Sequence, residues 1–368
     1  MNKAVWTDLA LHFDPWLSEQ YETSSRITLM NVRRVLASIL VVFAFQFVFQ
    51  VCGAGQSATA PRTETARCTM SADDQSWIEK ALGNWRVAEQ RELDLAPSAL
   101  PTVVVIDAAC SYVAAPRVDG KLVWKGTHHS GTITLPDGKA VPFGVISFAA
   151  PDEGKATTGF FAMSLPSVWR AKGIQSGLGL ERLMDGVLLH EMTHTRQFYF
   201  VNPTMDRLTK QYGLSDDVGD DSLQDAYEKN AGYVADYEAE RDLLYAAALA
   251  PTDAEAKAMT RQALGKIRAR RAKWFVGDSQ KWTPIDDIFL TMEGLGQWTA
   301  YAWFTDKQGL DLDPAKVLPE VRRKRNRWTQ DEGLAVFLVV NRLVPGWQKF
   351  AFAPKPELAE ALLERASN

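Results

Sequence analysis

The sequence predicts an α+β fold, and three observations carry that expectation. Short β-branched runs crowd between residues 100 and 166, helical periodicity with capping signals takes over from about residue 176, and strands and helices do not alternate. The expected organisation is a leader over residues 1–60, an N-terminal α+β part with a small sheet over 61–175, and a mainly helical part over 176–368. With 368 residues, 46% of them hydrophobic, the chain can bury a sizeable core.

The leader is marked by Arg33 and Arg34 ahead of VLASILVVFAFQFVFQV, residues 35–51, which carries no charge. Its length suits the apolar core of an export signal better than a full membrane span, and Ala58-Thr59-Ala60 offers small residues for cleavage, with Met30 the better-placed start. An uncleaved anchor is the alternative. Lipidation at Cys52 is disfavoured, because Phe49, Gln50 and Val51 lack the small residue expected there. Each version leaves the arginines in the cytoplasm and delivers the rest to the periplasm or beyond the cell. An oxidising compartment would let Cys68 and Cys110 pair, two buried free thiols being the alternative.

After the leader, Ser71 followed by Asp73 and Asp74 opens a helix to about Arg91, with Trp77, Ile78, Leu82 and Trp85 at helical spacing. LPTVVVID, residues 100–107, is a β-branched strand, and KLVWKG, GTITLP, VPFGVISFA and GFFAMSLP follow as further short strands up to Pro166. Gly177 and Gly179 mark the change to helices before LERLMDGVLLHEMTHTRQFYF, residues 180–200. Residues 201–222 read as a loop ending in Asp216, Asp217, Asp220 and Asp221, a solvated turn whose spacing misses the alternating acids of a calcium loop. Helix starts then follow at Ser222, at Thr252 with Glu255, at Thr283 before Pro284, and at Thr329 with Glu332.

Charge narrows the function classes. Forty-one basic against 45 acidic residues leave a net charge of −4, which supplies no broad positive field for a nucleic acid or an anionic membrane surface. The one concentrated basic run, Arg322, Arg323, Lys324, Arg325 and Arg327, reads as a solvated surface between helices. Membrane contact is expected only through the leader, if it is retained.

The stretch carrying chemistry is HEMTH, residues 190–194. Side chains four apart stack on one face of a helix, so His190 and His194 can grip one metal ion. Glu191 points about 100° away from His190, off the metal but within reach of a water beside it. Leu183, Met184, Val187, Leu188, Leu189 and Met192 make the surroundings apolar, where unpaired imidazoles and a carboxylate are costly and a metal would offset that cost. A buried helix whose histidines only hydrogen-bond to neighbours is the alternative.

Zinc needs a further protein ligand and an open position. No histidine follows His194, and Gln197 and Phe200 stand where H-E-x-x-H-x-x-G-x-x-H requires glycine and histidine, which excludes the metzincins. His128 and His129 lie in a glycine-rich strand-turn region and read as surface residues. A carboxylate on YVADYEAERDLLY is the expected third ligand: Glu238 closing the site, and Asp242 one turn on accepting the N–H of a ligand histidine. Asp236, Glu240 or Glu228 would replace Glu238 on a rotated helix, and plain surface acids pairing with Arg241 are the alternative.

His190-Glu191-x-x-His194 followed by Glu238-x-x-x-Asp242 resembles the gluzincin zinc metallopeptidases, the broad group that includes thermolysin, over two helices of the chain. The resemblance implies a zincin-like helical region with two metal-binding helices, Zn2+ held by His190, His194 and Glu238, Glu191 as general base and Asp242 orienting a ligand. It implies a protein or peptide substrate laid as an extra strand beside a sheet edge, for which GFFAMSLP, residues 159–166, is a candidate by analogy, the favoured alternative being that its aromatic pair belongs to the core. Tyr233, Tyr237 or Arg241 is available on the same helix to steady a developing oxyanion, a more distant residue being the equal alternative. The other function class is an inactive envelope scaffold using tryptophan-rich helices, against which the intact Glu191 argues.

Overall fold

In the computed structural model, which describes residues 68–114, 122–152, 155, 157–215, 218–324 and 326–368, the β-branched runs form seven strands. These are β1 (Thr102–Ile106), β2 (Cys110–Ala114), β3 (Lys125–His128), β4 (Thr132–Thr134), β5 (Ala140–Pro142), β6 (Ser147–Pro151) and β7 (Gly159–Ser164). Five make one mixed sheet in the order β3-β2-β1-β7-β6, while β4 and β5 pair separately. Only β1 and β7 run parallel, with Val104 opposite Ala162; the other pairs are antiparallel.

Two strand expectations need correction. GFFAMSLP is no edge: β7 is hydrogen-bonded to β1 on one side and β6 on the other, and its six strand residues are all buried. The edge strands of this sheet are β3 and β6. VPFGVISFA is not one strand either, because Gly144 and its neighbours turn the chain between β5 and β6. The run CSYVA, unassigned from sequence, is β2; its Cys110 is joined to Cys68 by a disulfide with Cα atoms 5.9 Å apart.

Helices account for the rest. α1 (Ala72–Arg91) starts where expected, with the Ser71 hydroxyl accepting from the Asp74 amide at 3.1 Å. α2 (Pro166–Ala171) is short, and α3 (Leu180–Tyr212) runs far past the expected end at residue 200, straight through Pro203. Proline inside a helix removes one hydrogen bond. Burial outweighs that loss here, because Phe198, Val201, Met205 and Leu208 continue one apolar face at helical spacing. Gly213, with φ of 62°, then caps the helix in the left-handed conformation.

The helix expected from Ser222 is two, α4 (Ser222–Tyr227) and α5 (Ala231–Leu249), because the Asn230 side chain caps the second by accepting from the Gly232 and Tyr233 amides. α6 (Asp253–Trp274) has the Thr252/Glu255 capping box expected of it. α7 (Trp282–Thr305), α8 (Pro314–Val321), α9 (Trp328–Leu343), α10 (Gln348–Ala351) and α11 (Ala359–Ser367) follow. Thr329 is no cap: it lies inside the first turn of α9, and its hydroxyl donates to the Asp220 carbonyl at 3.3 Å.

Layers follow from the buried faces. Val104, Ile106, Phe148, Phe160 and Ala162 of the sheet, the apolar face of α3, and Ile288, Phe289 and Met292 of α7 belong to one core cluster. α7 is buried on nearly all sides and crosses α9 where two glycines meet; a Cβ added to Gly294 would lie 2.6 Å from the Gly333 carbonyl oxygen. Among the described residues no helix is long and apolar enough to cross a membrane. The expected leader, with residues 35–51 and Ala58-Thr59-Ala60, lies outside the described residues.

Candidate metal centre

His190 and His194 project from the buried middle of α3, their rings 4.6 Å apart and nearly perpendicular. Across from them stands Glu293, from the centre of α7. Its Oε2 lies 3.1 Å from His190 Nε2 and its Oε1 3.4 Å from His194 Nε2, and one ligand atom from each of the three falls within 4.8 Å of the others. Gly296 makes the approach of the two helices possible: a Cβ there would come within 2.9 Å of the His190 ring.

The outer ring nitrogens are already engaged. His190 Nδ1 faces Gln297 Oε1 at 3.1 Å and His194 Nδ1 faces Gln197 Oε1 at 2.8 Å. A glutamine carbonyl oxygen accepts, so each ring donates from Nδ1; burial opposes charging of His190, but the hydrogen bond between its Nε2 and Glu293 and the charge of that carboxylate hold it above its ordinary value. The glutamines are held in turn, Gln197 Nε2 donating to the Met292 carbonyl at 3.2 Å and Gln297 Nε2 to the Val321 carbonyl. Gln330 Nε2 donates to Glu293 Oε2 at 3.0 Å.

This donor set fits a divalent cation. His194 Nε2 and Glu293 Oε1 are buried with no hydrogen-bond partner, and two lone pairs facing each other across 3.4 Å need something positive between them. Burial pushes His194 down to about 4, so its imidazole is neutral and able to donate a lone pair at neutral pH. Burial opposes ionisation of Glu293, but positive charge on the neighbouring histidines and hydrogen bonds from His190 and Gln330 hold the group below its ordinary value. Burial also raises Glu191 to about 7, with the charges of Glu293 and Asp220 adding to the effect. Glu191 Oε2 has no partner, and Glu191 lines a cavity that opens beside His190.

Glu238 is not in the group. α5 packs on α6 and α9, burying Tyr233, Tyr237 and Leu244 and turning Glu238 to a half-buried face where it lies 4.0 Å from Arg241. Asp242, expected to orient a ligand, accepts from Arg241 at 2.8 Å and meets neither histidine. Among the alternatives, Asp236 accepts from the Trp274 ring nitrogen at 2.8 Å, Glu240 pairs with Arg270, and Glu228 ends α4. His128 is exposed, with Nδ1 3.4 Å from Cys110 Sγ, and His129 Nε2 sits 3.0 Å from the Asp107 carbonyl.

The expected oxyanion groups are engaged elsewhere. Tyr233 accepts from Arg270, Tyr237 donates to the Trp328 carbonyl at 3.0 Å, and Arg241 pairs with Asp331 at 3.4 Å. The cavity wall is built instead from residues that sequence reasoning left in solvent. Arg323, Arg327 and Asp220 line it together with Leu183, Val187 and Phe304. Arg322 is pinned to Asp331 at 3.0 Å, and Asp331 also accepts from Tyr245 of α5 at 2.9 Å. Gly186 lets the Phe304 ring approach α3, where a Cβ would meet it at 2.4 Å.

Glu293 was missed because the third ligand was sought as an E-x-x-x-D pair. Its own signal is a carboxylate alone in FLTMEGLGQW, an apolar helix with glycines one and three places on. No family model, curated protein or solved structure compared with the chain matches it.

Proposed function

We propose that this chain is a zinc-dependent metallopeptidase that hydrolyses peptide bonds outside the cytoplasm, with His190, His194 and Glu293 as metal ligands and Glu191 as general base. The observation that carries the reading is the facing pair of unpartnered buried atoms, His194 Nε2 and Glu293 Oε1, with Glu191 beside them on a cavity wall. Two nitrogens and one carboxylate oxygen suit zinc and leave a position open. Bound there, zinc would supply Lewis acidity toward a carbonyl and acidify a water.

The chain's own residues do the rest. Gln197 and Gln297 fix the tautomers and orientation of the two imidazoles. Glu191, raised toward neutrality by burial, takes a proton from the attacking water and returns it to the leaving amine. Arg323, on the same wall and close enough for Glu191 and Glu293 to act on its charge, stands where Tyr233, Tyr237 and Arg241 do not, to steady the oxyanion.

The test combines metal analysis of the purified chain with cleavage of casein and a peptide library. Glu191→Gln should keep stoichiometric zinc and lose at least about a hundredfold in hydrolysis. Zinc without Glu191-dependent cleavage of any substrate would favour the scaffold reading. Absence of bound metal would remove the proposal.

A further inference from the structure

Asp220 has no task in the chemistry above, yet it lies on the wall of the same cavity as His190 and Glu191. It is 7% exposed, and its Oδ2 has no hydrogen-bond partner. Its main chain is fixed, the carbonyl accepting from the Thr329 hydroxyl. Arg327, on the same wall, pairs with Asp221. A carboxyl oxygen buried bare is costly, and the cavity gives a donor access to it.

The make-up of the wall selects the donor. Asp220, Glu191 and Glu320 bring three carboxyl groups to it against the guanidinium groups of Arg323 and Arg327, and Arg327 already pairs with Asp221. A cationic donor gains more from such a carboxylate than a neutral amide does. Leu183, Val187 and Phe304 on the same wall suit an apolar side chain beside it.

We propose that Asp220 receives a protonated amine of the substrate, so that the cavity selects peptides carrying an ammonium group close to the bond that is cut. This rests on the metallopeptidase reading, and the experiment separates the two. Three zinc-chelating probes are titrated calorimetrically into the zinc-loaded chain: leucine hydroxamate, N-acetyl-leucine hydroxamate, and N-acetyl-lysine hydroxamate blocked at the α-nitrogen only.

One of the amine-bearing probes should bind about 10- to 100-fold more tightly than N-acetyl-leucine hydroxamate, the range of a charge-assisted hydrogen bond. Preference for leucine hydroxamate places the amine at the substrate N-terminus, and preference for the lysine probe places it on a side chain. Asp220→Asn should abolish the preference while leaving zinc content and the affinity of N-acetyl-leucine hydroxamate unchanged. Equal binding of all three overturns the proposal with the metal centre intact. Binding of none overturns the metal reading and this inference with it. The three wild-type affinities decide the matter even if the variant does not fold.

Discussion

Asp185 sits on α3 ahead of His190, 6% exposed, with Oδ2 accepting from the Asn84 side chain at 3.3 Å. Burial raises its carboxyl from 3.8 to about 6, the charge of Glu181 adding and that of Lys80 opposing. A raised folded-state value means that its contribution is fully present below about pH 4 and is lost as pH rises through about 6. That gap corresponds to at most about 3 kcal/mol. Asp185→Asn should therefore melt higher than the parent at pH 8 and no higher at pH 4, as thermal unfolding at the two values would show; an equal shift at both would count against titration as the cause. Glu293 contrasts with it: that residue is also buried, yet histidine charge and hydrogen bonds from His190 and Gln330 hold its carboxyl below its ordinary value. Sequence alone placed the histidines and Glu191, because spacing of three and four along one helix is a local property. It settled on Glu238 and missed Glu293, because the third ligand depends on which helix lies against α3, across 103 positions of chain.

Elements were legible where their signals were local. Ser71 and the Thr252/Glu255 pair announced α1 and α6, and both caps formed. α3 was misjudged because Pro203 is a local stop signal that long-range burial overrode. Thr329 failed as a cap for a related reason, its hydroxyl being drawn to the Asp220 carbonyl. The crossing of α7 and α9 rests on Gly294 and Gly333, whose backbones approach too closely for any side chain. Gly333→Ala should destabilise the fold by about 1–3 kcal/mol, the usual cost of forcing a methyl into a closed contact. The same change should loosen the metal centre, since Glu293 precedes Gly294. Denaturant unfolding together with a zinc-competition titration would check both parts, and a variant as stable as the parent would show that the helices part at no cost.

At the scale of the molecule, the sheet, α3, α7 and α9 form successive layers, and the candidate ligands come from the two middle ones. An ion bound there links layers distant in sequence, and any ligand that binds only the folded state stabilises it. Zinc at a hundred times its dissociation constant should add about 2.7 kcal/mol, and a chelator should lower the melting temperature by the corresponding amount. Differential scanning calorimetry with and without chelator reads this directly; an unchanged transition in a zinc-loaded sample would sink the idea that the ion bridges the layers. α5 contributes no ligand, yet through Asp331 its Arg241 and Tyr245 hold Arg322, the immediate neighbour of Arg323 on the cavity wall. Natural variation or laboratory evolution thus has a lever on the cavity that leaves the candidate ligands untouched: repacking a helix outside the candidate metal centre re-aims a guanidinium on the cavity wall.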